Sequence, residues 1–157
     1  MKQLFRALER REPQVMAIVN VTDDSFYEGS RTTSGDAIEE RVAQALEDGA
    51  TIFDIGGASS RPGAETIAME EEWQRVSMGL EAVRRVNAGV VVSVDTFRAE
   101  VVRRAVAEYG DIIVNDISAG ELDDEMLEVV AKNKLPYIAM HMRGTPKTMQ
   151  SMTDYED

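Results

Sequence analysis

The chain has 157 residues and carries 17 Lys and Arg against 29 Asp and Glu, a net charge of -12, with 43% apolar and 29% charged residues. Such a balance is that of a folded, soluble globular chain, and its acidity gives phosphate backbones and anionic membranes nothing to hold, so neither nucleic acid nor a membrane is an expected partner. The absence of cysteine excludes disulfides, thiolate catalysis and cysteine metal sites, and one histidine excludes an HExxH metal centre, so any metal is held mainly by oxygen.

Five apolar runs rich in β-branched residues read as strands: 14–21, 51–55, 90–95, 111–116 and 135–141. None alternates cleanly between apolar and polar, the mark of strands covered on both faces and hence of a parallel sheet. Between them the spacing predicts helices. Asp36 to Glu47 aligns Ile38, Val42, Ala45 and Leu46; about Ala68 to Val86 aligns Trp73, Val76, Leu80 and Val83; Phe97 to Tyr109 aligns Val101, Val102, Ala105 and Val106; a short helix after Asp123, its expected N-cap, uses Met126, Leu127 and Val130 as its buried face. The run Glu70, Glu71 and Glu72 opens the second helix and reads as a solvated face favouring its positive end. No targeting segment or apolar run near the roughly 20 residues of a membrane span appears, which points to the cytoplasm. Two polar stretches, Thr22 to Gly35 and Gly56 to about Ile67, interrupt the rhythm after strands, where long loops are commonly functional.

Each strand ends on a polar side chain: Asn20, Asp54, Asp95, Asn115 with Asp116, and His141. In a parallel β-α array these ends emerge on one face, and polar ends on every strand favour a TIM (β/α) barrel over an open doubly wound sheet, which gathers its ligand at one switch point. A full barrel takes eight strands and about 250 residues. Residues 1–157 therefore read as a single α/β domain, the N-terminal portion of such a barrel with about five parallel strands and four helices.

Asp95 at the end of an apolar strand suits a heterocycle edge bearing N–H donors, with Asn115 beside it, or else it caps the next helix. Asp54 carries the same ambiguity, and Asp116 reads as structural because alternation prevents it and Asn115 from both pointing inward. The segment DIGGASSRPG (Asp54 to Gly63) offers backbone approach, two hydroxyls and Arg61, a fork for phosphate oxygens or an exposed turn. Asn20 with the following Thr22, Asp23, Asp24 and Ser25 could hold Mg²⁺, or the acidic pair could form a solvated turn. The lone His141 is given no base role, and Met140, Met142, Met149 and Met152 read as packing residues, Met140 also as a wall for a flat ring. No Walker loop, nucleophile elbow or Cys/His metal pattern is present.

The ordered set NVTDDSF (Asn20 to Phe26), DIGGASSRPG, VSVDTF (Val92 to Phe97), NDISAG (Asn115 to Gly120) and MHMRGTPKTMQ (Met140 to Gln150) resembles bacterial dihydropteroate synthase from about Val15 onward. The resemblance implies a pterin-binding TIM barrel that condenses 7,8-dihydropterin-6-ylmethyl diphosphate with p-aminobenzoate, releasing diphosphate and forming 7,8-dihydropteroate for folate synthesis, with sulfonamides as competitors of p-aminobenzoate. It implies Asn20 as the Mg²⁺ ligand, Asp95 and Asn115 as pterin holders, Ile117 and Met140 as pocket lining, Arg61 at the diphosphate, and Ser60 and Pro62 at p-aminobenzoate. Asp95, Arg61 and Asn20 are the implied catalytic set, and Asp24, Ser25 and Phe26 lie on the implied closing loop. The resembling family acts by a dissociative path needing no enzyme nucleophile, and the intact enzyme is implied to be a homodimer. Three positions depart: Asp23 stands where Pro is usual, Ala58 where an acid is usual, and Ser60 where Thr is usual. Later family strands supply a further Asp, a Lys, an Arg and a His with no match here, so the isolated 157 residues are expected to be inactive alone. Competing expectations are a pterin-binding methyltransferase of the same superfamily and a non-catalytic half-barrel that binds a pterin or pairs with another half.

Overall fold

A computed structural model describes residues 13–21, 33–58, 67–145 and 148–155. Five parallel strands run β1 (Met16–Asn20), β2 (Ile52–Gly56), β3 (Val91–Asp95), β4 (Ile113–Asp116) and β5 (Tyr137–Ala139), and helices α1 (Thr33–Glu47), α2 (Met69–Val86), α3 (Ala99–Tyr109) and α4 (Met126–Asn133) alternate with them. A 3-10 turn follows at Met149–Ser151. The spatial order β1-β2-β3-β4-β5 equals the chain order. An open doubly wound sheet reverses direction at a switch point; a sheet that always adds its next strand on the same side is the barrel arrangement.

Alternation along each strand divides the side chains between two faces. Toward the helices, Phe53, Ile55, Val92, Val94 and Val114 are buried against Val42, Val76, Leu80, Val83, Val101, Val102 and Ala105 in one continuous core. On the concave face Ile52 and Ile113 are buried with Val91 packed against them. That face is covered only toward the centre: Ile18, on edge strand β1, is 58% exposed, and Met16, Ile138 and Met140 on the edges are exposed too.

Helix α2 approaches the sheet closely because Gly79 lacks a side chain; a Cβ there would lie 2.7 Å from Ile55 Cγ2 and 3.1 Å from Val21 Cγ2. Helix α3 begins at Ala99 rather than Phe97, because the hydroxyl of Thr96 accepts from Arg98 N at 3.1 Å and holds residues 96–98 in a turn. The first N–H of α3 is capped from another element, Ala99 N donating to Asp123 Oδ2 at 2.8 Å. Asp123 also accepts from Glu125 N at 3.0 Å through Oδ1, which makes it the turn before α4 rather than its cap residue. Helix α1 starts at Thr33, three residues before the position expected from its apolar spacing.

Two expectations are corrected. Helix α4 buries Met126, Val129 and Val130, whereas Leu127 is exposed, because i, i+3 and i+4 define the face turned to the core. Glu72 is 0% exposed instead of solvated: it lies four residues before Val76 and beside Trp73, on the helix stripe that faces the sheet. Its charge is matched there. Thr96 Oγ1 donates to Glu72 Oε1 at 2.5 Å, and the Arg98 guanidinium pairs with Glu72 Oε2 while donating to Ile67 O at 2.7 Å.

Candidate functional site

The strand register places three of the polar strand ends, Asn20, Asp95 and Asn115, at one level, whereas Asp54 lies two residues before the end of β2 and His141 two residues past the end of β5. Asn20 is paired with Gly56, Gly56 with Asp95, Asp95 with Asn115 and Asn115 with Ile138, a single row across all five strands. Residues two apart share a face, so the next row into the concave face is Ile18, Asp54, Ser93 and Ile113. Gly56 keeps the upper row open: a Cβ there would sit 3.4 Å from Asn20 Oδ1 and 3.5 Å from Asp95 Oδ2. Asn20 is exposed, and Asp95 and Asn115 are half-buried, so the row is reachable from the concave side.

Asp54 and Asn115 are joined, Asn115 Nδ2 donating to Asp54 Oδ2 at 3.0 Å. Asp54 is 5% exposed, yet its Oδ1 has no hydrogen-bond partner among the described residues, and neither has Ser93 Oγ beside it in the register. Such orphaned buried groups are uncommon and costly, and they mark places where a further polar group is accommodated. Asp95 is pushed up from the ordinary 3.8 to about 7, first by burial and then by the negative charges of Asp54, Glu72 and Asp116. Asp95 does not cap α3; Asp123 does. The carboxylate at β3 is thus left to the cleft.

Asp116 points to the opposite face and holds the turn after β4. It accepts from Ser118 N at 2.7 Å, Ser118 Oγ at 2.8 Å, Gly120 N at 2.8 Å and Tyr137 Oη at 2.7 Å, and is wholly buried. Its structural reading from alternation therefore agrees with the geometry. Tyr137 in turn holds its phenolic proton more tightly than usual, through burial and then the bond to Asp116. Ile117 is half-buried just past β4, and Met140 lies exposed just past β5, its N–H donating to Asp116 O at 3.0 Å. His141 is exposed, and its Nε2 is hydrogen-bonded to Tyr155 Oη at 3.1 Å.

Of the residues singled out from the sequence, Asn20, Asp95 and Asn115 are brought together by register. Asp24, Ser25 and Phe26, and likewise Ser60, Arg61 and Pro62, lie outside the described residues, as does Asp23. The described ends of the β2–α2 connection are anchored: Arg75 Nη1 donates to Gly57 O at 3.2 Å, and Arg98 holds Ile67 O. Gly57 lies so close to α2 that a Cβ would come 2.7 Å from Glu72 O. Glu72 is the residue that reading the sequence missed: it shares the stripe of Val76 and Leu80, but the partners that make its burial tolerable, Thr96 and Arg98, come from another segment.

The pterin binding enzyme family matches residues 16–157. The chain belongs to the pterin-binding enzymes. Dihydropteroate synthase of Synechocystis is 44% identical over 143 residues, covering 91% of this chain and 49% of the relative. Dihydropteroate synthase of Escherichia coli is 42% identical over 151 residues, covering 96% of this chain and 52% of the relative. The structure of Xanthomonas albilineans dihydropteroate synthase with 4-aminobenzoic acid matches with a TM-score of 0.76 at 42% identity, over 85% of this chain and 48% of that one. The chain spans about half the length of these pterin-binding relatives, and its five-strand sheet is a portion of their barrel.

Proposed function

We propose that this chain supplies the N-terminal half of a dihydropteroate synthase site, in which 7,8-dihydropterin-6-ylmethyl diphosphate condenses with p-aminobenzoate. The observation that carries the reading is the single register row Asn20, Gly56, Asp95 and Asn115, backed by the acceptors Asp54 and Ser93 on the concave face of a barrel-type sheet. Acceptor groups in that density suit a flat heterocycle whose edge carries N–H donors. A relative bound to 4-aminobenzoic acid supports the second substrate.

In the proposed reaction the C–O bond between the pterin methylene and diphosphate breaks, and diphosphate departs with the bonding pair. The amine nitrogen of p-aminobenzoate then forms the new C–N bond and gives up a proton. Asp95 and Asn115 hold the ring, and negative charge from Asp54 and Asp95 steadies the positive charge that develops on the pterin methylene. Mg²⁺ fits the donor set, because Asn20 Oδ1 is a hard neutral oxygen at the opening that Gly56 preserves, and Mg²⁺ takes few protein ligands when phosphate oxygens and water complete its shell. Bound there by Asn20, it would neutralise charge on the leaving diphosphate. Cytoplasmic location and a homodimeric intact enzyme are part of the same proposal; among the described residues no helix is long and apolar enough to cross a membrane.

The test is turnover, followed as diphosphate release and dihydropteroate formation together. The 157-residue chain alone is expected to be inactive, and the chain joined to the second half of Escherichia coli dihydropteroate synthase is expected to be active. A joined protein that folds but binds neither substrate refutes the proposal.

A further inference from the structure

Asp54 is only 5% exposed on the concave face, and beyond the acceptor and charge roles given to it above, its two oxygens do different things. Oδ2 takes the amide N–H of Asn115 at 3.0 Å, and Oδ1 has no partner among the described residues. A carboxylate offers lone pairs only, so the side of the Asn115 amide that faces it must be the nitrogen. The Asn115 oxygen is thereby excluded from Asp54 and left for the cleft.

We propose that Asp54 is a specificity-determining positioning residue: by fixing the Asn115 amide it makes strands β2 to β4 present acceptors, so that the site selects a ring edge with an exocyclic amine over one with a carbonyl. The inference rests on the pterin reading above and goes beyond it, since it assigns the choice between 2-amino and 2-oxo rings to a residue beneath the pterin holders. The acceptors sit on adjacent strands: Asp54 Oδ1 on β2, Asp95 one pleat higher on β3, and Asn115 Oδ1 on β4. Ser93, the register partner of Asp54, has a hydroxyl that rotates to accept or donate and so imposes no preference. Replacing Asp54 by Asn reverses the logic. An Asn at this position can donate to Asn115 Oδ1, which turns the Asn115 nitrogen to the cleft.

The experiment compares 6-hydroxymethylpterin with 6-hydroxymethyllumazine, which carries a carbonyl in place of the exocyclic amine, by calorimetry. It uses the full chain, alone and joined to the second half of the Escherichia coli enzyme. The unaltered protein is expected to prefer the pterin at least tenfold, and Asp54→Asn to reduce that preference about tenfold. The exchanged pair, Asp54→Asn with Asn115→Asp, again has a carboxylate paired with an amide N–H and an acceptor turned to the cleft, and is expected to restore the preference. A merely structural Asp54 would change thermal stability in these variants and leave the ratio alone. An unchanged ratio in Asp54→Asn overturns the inference while leaving the pterin reading intact. Should Asp54→Asn fail to fold, the exchanged pair decides alone, and its failure to prefer the pterin overturns the inference. An unaltered joined protein that binds neither ring overturns both.

Discussion

Asp95→Asn is expected to make the protein more stable and less able to bind. Burial and the neighbouring charges of Asp54, Glu72 and Asp116 raise the Asp95 carboxyl from 3.8 to about 7. Between those values the folded state keeps a proton that the unfolded chain has already released, so this group lowers stability as pH rises from 4 to 7, and the penalty is complete above 7. At 1.36 kcal/mol for each pH unit the rise corresponds to about 4 kcal/mol, and partial solvent access to this half-buried side chain brings the expected figure to about 2 kcal/mol. An amide of the same shape carries none of this cost. Urea unfolding of both proteins from pH 4 to pH 8.5 should show equal stability at the acid end and an advantage of about 2 kcal/mol for Asp95→Asn at the alkaline end, with the slope against urea unchanged. Pterin affinity should fall about tenfold or more, since a ring donor then meets a mismatched amide. A stability difference that is flat across pH, or a variant weaker than the parent at pH 8, would refute the electrostatic account of Asp95; intact pterin affinity would remove it from the site.

Glu72→Ala should cost about 3 to 5 kcal/mol in urea unfolding, because it strands the Arg98 guanidinium and the Thr96 hydroxyl in a buried setting; a loss below about 1 kcal/mol would show the pair to be dispensable. Gly57→Ala should lose about 1 to 3 kcal/mol, since its Cβ would meet the backbone carbonyl of Glu72 at 2.7 Å and neither backbone can yield cheaply; an unchanged midpoint would mean that the turn relaxes freely. Asn20→Ala should weaken binding of the pterin diphosphate in the presence of Mg²⁺ but leave 6-hydroxymethylpterin binding unaltered. Equal losses for both ligands, measured by calorimetry with and without Mg²⁺, would place Asn20 against the ring instead of the metal.

Fold and site differed in how legible they were. The strands were readable because apolar runs bounded by polar residues have few other solutions, and chain-order parallel pairing followed from polar ends on all of them. The equal register of Asn20, Asp95 and Asn115 was implied by the same ends, since strands in a barrel finish near one level. Asp116 was separable from Asn115 by alternation alone. Glu72 was not legible in the same way: three consecutive acids at a helix start have a sufficient local explanation in the helix dipole, and only the arrival of Arg98 and Thr96 from another segment makes burial of one of them tolerable. Helix α3 was read two residues long for a related reason, because the Thr96 turn and the distant Asp123 cap outweigh the helical spacing of Phe97. What Asp54 does depends on which side of an amide faces it, a choice that sequence spacing does not carry.

The unfavourable features of the cleft share one remedy. Asp54 Oδ1 is buried without a partner, Asp95 holds a proton that an ordinary carboxyl would have released, and Gly56 withholds a side chain between Asn20 and Asp95. A ligand that fills the space above Gly56 with N–H donors supplies the missing partners and favours the ionised form of Asp95, so binding must be coupled to proton release. With Asp95 at about 7, roughly half of the molecules carry that proton at pH 7. Calorimetric titration of 6-hydroxymethylpterin into the joined protein, in buffers of different ionisation enthalpy, should therefore register about half a proton released per ligand at pH 7 and close to none at pH 8.5, where Asp95 is already ionised. Asp95→Asn should abolish the pH 7 signal. Binding at pH 7 without proton release would mean that the ligand's donors do not reach Asp95, and the row of strand ends would then be a passage to the site rather than its floor.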